Sequence, residues 1–544
     1  MAAASRAAGP RTSYAAAETR GGNIALYRPH LRSADAEVLR DAPTVRARAR
    51  DLVRNNPHAQ HAVRISRIAV VGAELRLRLN PDYRFLGIDR VHVDGWARDV
   101  ERLWRQYAHG PHFWVDAGRR YTFSDLFALI HDQDFIDGEA LVVAEWDEAR
   151  PTKTCFQVID VDRLSNPVGV PEGTYFKGGV EMDRLGAPVA YHIRDAHPAE
   201  YGIGPPLATV THTRVERETP WYRPIAMHSF QPLRAGQTRG MSEFASAIVA
   251  LKMGHEYQEM ELATANLQAS IAAVLTTAAN MQQAADMVGE KIDAETGEII
   301  TGAQAAFEDS ISYYNSLDFT FNGVKVPKLA PGDKLDLVGS KHPTSAYAEF
   351  VRNQLYSVAA GLGVDPIALT QDYSRANYAS NKMSFAHNGR AAETRRARLL
   401  RMIGMPMVGA WLEEKIAAGE VDMPLGLHPE QFYKVKDALV RGTFITSSRA
   451  MIEPMKERQA QQLGRALGVE TLESMCAEEG ESWEDNLEQI ARENARAAEL
   501  GVMLPTMMPP LMPAAPVADD DAADDDAPGP NDPPADDPSA YAGL

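Results

Sequence analysis

Tyr347, Val351, Leu355, Val358 and Leu362 fall at steps of three and four, the spacing of one face of an α-helix. Thr344 or Ser345, just after Pro343, can cap its start, and Gly361, Gly363 and Pro366 end it. The chain then turns polar through Thr370-Gln-Asp-Tyr-Ser-Arg-Ala-Asn-Tyr-Ala-Ser-Asn-Lys382. Ser380 or Asn381 can cap a further helix that runs towards Leu400 with little apolar content in its middle. The pattern predicts a polar, aromatic-bearing loop over 364–381, held between a helix over 344–363 and a long one from Lys382. Another long helix is predicted from Ser242 to Ala269, roughly 40 Å at 1.5 Å per residue. Phe244, Ile248 and Leu251 form one stripe on it, and Met253, Tyr257, Met260 and Leu267 form a second, rotated stripe. A helix apolar on two sides needs two neighbours. In a ring the second neighbour is the adjacent subunit; in a monomer it is another part of the same core.

The remainder reads as mixed α and β. Residues 1–42 are small and arginine-rich, with Gly21-Gly22 and Pro29, and read as an extended arm. From Pro43 the pattern is helical, and Arg46, Arg48, Arg50, Arg54, Arg64 and Arg67 form a positive face expected to be solvated. Asn55 to Gly72, followed by alternating Leu75, Leu77 and Leu79, passes from helix to strand. Trp96, Trp104, Tyr107, Phe113 and Trp114 concentrate aromatic bulk for a core. Thr122 is placed to cap a helix, and Asp137-Gly138 turns into a strand at Ala140–Ala144. Phe156–Asp162 reads as another strand, and Gly179–Asp183 with Val189–Ile193 as a hairpin. Residues 270–343 contain a strand-like Ile271–Leu275, a helical Asn280–Gly289 and irregular pieces broken by Gly297, Gly302, Gly323, Pro327 and Pro331-Gly332, a compact insertion between two helices. From Met402 the pattern is helical again, interrupted around Pro424 to Pro429.

Composition narrows the class. Apolar residues make up 45% of the 544 and charged residues 24%, as in a soluble globular chain long enough for several domains. No run approaches the ~18 apolar residues of a membrane span, and the alanine-rich start with Arg6 and Arg11 lacks the apolar stretch of a secretory signal. Cys155 and Cys476 alone build neither a disulfide framework nor a zinc site. The formal charge of −18 is half tail, because Asp519 to Asp537 contains nine aspartates and no Lys or Arg follows Arg496. With Pro528, Pro530, Pro533 and Pro534, residues 503–544 are expected to be a disordered acidic tail. The acidic body argues against a tight wrapper of nucleic acid, though not against a channel through which a duplex slides.

Catalytic chemistry is not evident. No Gly-Lys dipeptide occurs, which excludes a phosphate-binding loop of the Walker type. His255-Glu256 lacks the second histidine of a zinc-protease helix, Glu259 standing in its place. His58 and His61 are expected to be exposed, and Asp132, Asp134, Asp137 and Glu139 to form a solvated turn rather than a cation site. No enzyme activity, metal or cofactor is expected.

Three stretches resemble the lambda-type branch of tailed-phage portal proteins: Asn55 to Gly72; Arg234-Ala-Gly-Gln-Thr-Arg-Gly240 with Met241–Phe244; and Ala360-Gly-Leu-Gly-Val364 with Asp372-Tyr-Ser-Arg-Ala-Asn-Tyr-Ala-Ser380. Ile452–Glu457 and Cys476–Ala498 are similar to the C-terminal part of the same family. The resemblance implies an α+β portal fold: a wing over 43–240, stem helices over 241–269 and 344–363 flanking a small α/β clip at 270–343, a tunnel loop at 364–381, and a long helix leading into a helical crown over 382–502. It implies a homo-oligomeric ring, dodecameric in the native state, at the portal vertex of a virion, assembled in the host bacterial cytoplasm and passing double-stranded DNA during packaging and ejection. Its implied partners are terminase, a head–tail adaptor, the major capsid protein and scaffold, with no membrane. In the loop, Arg375 and Lys382 can meet phosphates, Asn377, Tyr378 and Asn381 offer weaker hydrogen bonds, and Asp372 opposes strong adhesion. Met253, Tyr257 and Met260 are the expected subunit contacts. Another head–tail connector or minor capsid protein fits the same features less closely. A cytoplasmic hydrolase with a dispersed active site is the alternative of a different class, and it predicts a monomer or small oligomer where a portal predicts a large ring.

Overall fold

The computed structural model describes residues 26–199, 211–271, 291–292, 299–300, 320–321, 324–325, 347–374, 377–446 and 454–502. Ser33 opens helix α1 (Ala34–Asn55), its hydroxyl accepting from Ala36 N. The helix thus starts nine residues ahead of Pro43, which lies inside it despite the lost backbone donor. Its buried face, including Ala42, Ala49 and Leu52, supplies the packing that compensates. Asn56 caps α2 (Pro57–Val70) by accepting from the amides of His58 and Ala59.

Both helices pack on α5 (Phe123–Asp137), which opens with the reciprocal Thr122–Asp125 cap and ends at Gly138, φ +89°. Between them come β1 (Arg76–Leu79), the short α3 (Tyr83–Leu86) and α4 (Arg90–His109).

After Gly138, β2 (Glu139–Trp146) pairs antiparallel with β3 (Thr154–Ile159) on one side and β8 (Ala226–Phe230) on the other. A second antiparallel sheet runs β4 (Phe176–Lys177), β5 (Val180–Met182), β6 (Pro188–Arg194) and β7 (His212–Glu216), containing the expected hairpin. Ser242 opens a 3-10 turn at Glu243–Ser246, so the long helix α6 spans Ile248–Ile271 and starts later than its apolar pattern predicts. Two small hairpins follow, β9 (Lys291–Ile292) with β10 (Ile299–Ile300) and β11 (Thr320–Phe321) with β12 (Val324–Lys325). Ile271 still belongs to α6, so it does not begin a strand. The rest of the strand and helix expected over Ile271–Leu275 and Asn280–Gly289 falls outside the described residues, as do Thr344, Ser345 and the acidic tail.

Next come α7 (Tyr347–Leu362), ended by Gly363 at φ +62°, then α8 (Pro366–Thr370) and α9 (Tyr378–Leu399). Leu400–Gly404 widens into a π turn, in which Met405 N reaches back to Leu400 O, before α10 (Met405–Ala417) with Pro406 in its first turn. After α11 (Phe432–Leu439), β13 (Gly442–Ile445) pairs antiparallel with β1, a strand inside a region whose pattern predicts only helix.

The largest core joins these distant pieces. Trp104 meets Trp411 edge-on at 5.2 Å and Phe123 at 5.2 Å, while Phe123 stacks on Phe444 at 5.1 Å. Of the five aromatic residues expected there, Trp104 and Tyr107 are buried in it, Trp96 and Trp114 sit half-buried against it, and Phe113 is half-buried without joining it. Residues 392–444 therefore share a core with residues 70–156. A separate unit begins at Met455; it contains α12 (Pro454–Ala466) from its second residue on, α13 (Leu472–Glu478), capped by Thr471, and α14 (Trp483–Leu500), capped by Ser482 and closed by Gly501 at φ +70°.

Candidate channel segment and subunit-contact helices

A buried charged node lies beside the turn that leads into α6. Glu139 is fully buried at the start of β2. Its carboxylate accepts from Arg46 Nη2 at 2.7 Å, from Arg239 Nη2 at 2.6 Å and Nε at 2.8 Å, and from Gly240 N at 3.0 Å; His228 Nε2 lies 3.0 Å away. Arg239 also donates to the carbonyls of Val161, Leu164 and Gly178. The backbones cross so closely that a Cβ on Gly240 would lie 2.0 Å from Gly138 O, so the signature glycine is a packing requirement. The Arg234–Gly240 motif thus ties the entrance of α6 to the sheet.

The four acidic residues expected in a solvated turn are each paired with arginine. Asp132 accepts from Arg67 at 2.9 Å, and Asp134 is gripped by both Nη atoms of Arg398 at 2.8 and 2.6 Å. Asp137 is gripped by Arg50 at 2.7 and 2.8 Å. Arg46, Arg50 and Arg67 accordingly leave the expected solvated face, and Arg48, Arg54 and Arg64 remain on it. Their partners lie 65 or more residues away in sequence, beyond the reach of a local pattern.

Burial works to raise the Glu139 carboxyl, but the charge of Arg239 and the His228 and Arg239 hydrogen bonds hold it well below the usual range. Burial likewise works against the charged form of Asp162, and the Arg46 hydrogen bond and the charges of Arg46 and Arg50 keep it low. Asp137 opposes them in part, since burial raises it despite Arg50. A depressed carboxyl stabilises the fold above its unfolded pKa of about 4 and loses that contribution as pH falls through the folded value. Thermal unfolding measured against pH should therefore hold level down to about pH 5 and fall below about pH 4, with Glu139→Gln flattening the fall.

Asp160, Asp162 and His197 bring ligand atoms within 4.8 Å of one another, the one such group among the described residues. Arg50 Nη1 and Arg46 Nη1 already sit 2.5 and 2.6 Å from the Asp162 oxygens, so guanidinium charge occupies the place a cation would take. His255 pairs with Glu259 at 3.3 Å on the exposed side of α6.

The loop is shorter and better anchored than its polarity suggests. Asp365 caps α8 by accepting from Ala368 N at 3.0 Å and also accepts from the Ser384 hydroxyl on α9. His61, expected to be exposed, is half-buried, its Nε2 lying 3.1 Å from Ala368 O and 3.3 Å from Gln371 Nε2. Gln371 ends α8 in the left-handed region, φ +54°. Asp372 accepts from Arg352 of α7 through Nη2 at 2.9 Å and Nε at 3.2 Å, and from Ser374 N and Oγ at 3.1 and 2.5 Å. The Ser374 hydrogen bonds, with help from Arg352, lower the Asp372 carboxyl. Helix α9 begins at Tyr378, so Ser380 and Asn381 lie in its first turn and do not cap it. Asn377 and Lys382 are exposed, and Arg375 falls outside the described residues.

Helices α6 and α7 run antiparallel, from the Ser246–Gly361 contact through Gln354 Nε2 donating to Ala250 O at 2.6 Å to the rings of Tyr257 and Tyr347 at 5.7 Å. Leu251 and the turn residue Phe244 are buried with Val358 and Leu362. Tyr257 is covered by α7, its ring 5.3 Å from Phe350. Met253 and Met260 are 61% and 66% exposed, and Val249, on the same face, is 66% exposed. The second stripe is thus divided between α7 and an uncovered strip.

A family model described as phage portal protein, lambda family, matches residues 20–396. The portal protein of Escherichia phage N15 is 30% identical over 488 residues, covering 89% of this chain and 90% of that protein. Portal protein B of Escherichia phage lambda is 29% identical over 488 residues, with the same coverage of both. A chain in the neck of a native GTA particle, computed with C12 symmetry, is 13% identical across 80% of this chain and 90% of its own length, with a TM-score of 0.35. The family match spans well over half of the sequence and contains the Asn55–Gly72, Arg234–Phe244 and Ala360–Ser380 motifs. This chain belongs to the lambda family of phage portal proteins.

Proposed function

We propose that copies of this chain close into a ring at the portal vertex of a phage or phage-like capsid and pass double-stranded DNA inward at packaging and outward at ejection. The observation that carries this reading is the order of elements from α6 to α9. An antiparallel helix pair with an uncovered apolar strip leads directly into a short, anchored helix and a polar loop. A head-to-tail contact between subunits buries such a strip and repeats around a closed ring, setting one copy of the loop per subunit on a common axis.

In this reading residues 43–240 are the wing, 241–269 and 344–363 the stem and 270–343 the clip that docks terminase and then the head–tail adaptor. Residues 364–381 are the tunnel loop, 382–502 the long helix and crown region, and 503–544 the tail. Major capsid protein and scaffold assemble around the ring. Lys382, Asn377 and Arg375 meet phosphates weakly, because affinity climbs with each phosphate neutralised and a conduit must let the duplex go. No helix among the described residues is long and apolar enough to cross a membrane, and the family is structural rather than enzymatic.

Replacing 371–377 by a short glycine linker should leave rings visible by negative-stain imaging while shortening the DNA packaged per particle. Full-length packaging by that variant would remove the loop from the channel. A monomer in place of a ring for the unaltered chain would remove the portal assignment of these helices.

A further inference from the structure

The loop's charge balance changes once its partners are counted. Asp372 is the acidic residue of Thr370–Lys382, and its carboxylate turns away from the role of a free counter-charge to pair with Arg352 of α7. The same carboxylate closes a tight turn onto Ser374. At the other end of the segment Asp365 joins Ser384, and His61 holds the end of α8. The base of the loop is therefore pinned to α2, α7 and α9, and the pin nearest its tip is the Arg352–Asp372 pair.

We propose that Arg352 is the positioning residue of the channel loop: its ion pair with Asp372 fixes where the loop leaves the stem and masks the loop's negative charge from the duplex. The proposal rests on the reading that this loop lines the bore. Arg352 touches no DNA itself; it acts through Asp372. Its side chain is 21% exposed and that of Asp372 33%, so the pair is partly shielded and remains sensitive to salt. The planar fork reaches Asp372 through both Nε and Nη2, a geometry that lysine cannot reproduce. An Asp372→Lys substitution would act on this pair in two ways. The new ammonium would face Arg352, so the variant loosens the loop as well as adding positive charge.

The test uses assembled rings of the full-length chain carrying Arg352→Gln, Asp372→Asn or the exchanged pair Arg352→Asp with Asp372→Arg. Hydrogen exchange at the amides of 371–374 should run several-fold faster in each single variant and return towards the unaltered rate in the exchanged pair. DNA packaged per particle should fall in the single variants and recover with the exchange. Unchanged amide exchange in both single variants would overturn the latch. Faster amide exchange with undiminished packaging, in a ring whose loop-deleted form also packages normally, would overturn the channel reading and leave the pair only an anchor. A purely structural role for Arg352 predicts lowered ring yield in Arg352→Gln that the exchange does not repair, and that result would also overturn the proposal.

Discussion

Glu139→Gln is expected to cost the fold about 3–5 kcal/mol, the penalty for stripping the partner from buried charge. Against a total stability of roughly 5–15 kcal/mol for a domain, this is most of the margin. The magnitude follows from what remains. Arg239 keeps three backbone carbonyls, and Arg46 keeps Asp162, but the fully buried centre at which both guanidiniums and His228 converge loses its charge. Arg239→Lys should be nearly as damaging, because an ammonium cannot bridge Glu139 and the three carbonyls as the guanidinium does. Asp41→Asn, which breaks an exposed pair with Arg40, should leave the melting temperature unchanged. Soluble yield and thermal unfolding of the three variants measure the difference. Equal melting temperatures for Glu139→Gln and Asp41→Asn would show that the node is not a keystone.

The consequence would be specific as well as energetic. Gly240 donates its amide to Glu139, and the 3-10 turn that aims α6 begins three residues later. Loosening Glu139 should therefore disturb the helix entry before the rest of the sheet.

How far the sequence carried depended on how local each cause was. The end of α7 at Gly363, the Thr122 cap with its Asp125 partner, and the β5–β6 hairpin are set by neighbours within a few residues, and the pattern exposes them. The turn between α5 and β2 was legible too, because Gly138 needs a positive φ. What could not be read depended on partners far along the chain. Arg46 and Arg50 look like a solvated stripe until Glu139, Asp137 and Asp162 arrive from 87 to 116 residues away. Strand β13 is four residues long and exists because β1 offers it an edge, so helical periodicity around it hid it. In the loop, apolar periodicity located α7, but the pairing of Asp372 with Arg352 twenty residues back was invisible. The one available signal was chemical: an aspartate followed two residues later by serine, the composition of a side-chain-closed turn.

Met253→Asp and Met260→Asp should abolish or strongly weaken ring assembly while leaving the subunit folded. The sequence alone suggested that these methionines are buried somewhere, and the structure makes the prediction sharper. Both are exposed in the single chain, whereas Leu251 and Tyr257 are covered by the subunit's own core and α7. An aspartate on an exposed helix face costs the isolated subunit little beyond helix propensity, a few tenths of a kcal/mol. The same aspartate enclosed at a subunit contact leaves an unpaired charge, a penalty of several kcal/mol at each contact. Closure multiplies this around the ring, since every subunit contributes the same surface. Leu251→Asp is the contrasting variant, expected to fail at folding rather than at assembly because Leu251 lies in the subunit's own core. Sedimentation velocity reports ring against subunit, and circular dichroism reports the fold. Intact rings from both methionine variants would move the subunit contact off this face of α6. Unfolded subunits would show that the strip belongs to a core within the chain.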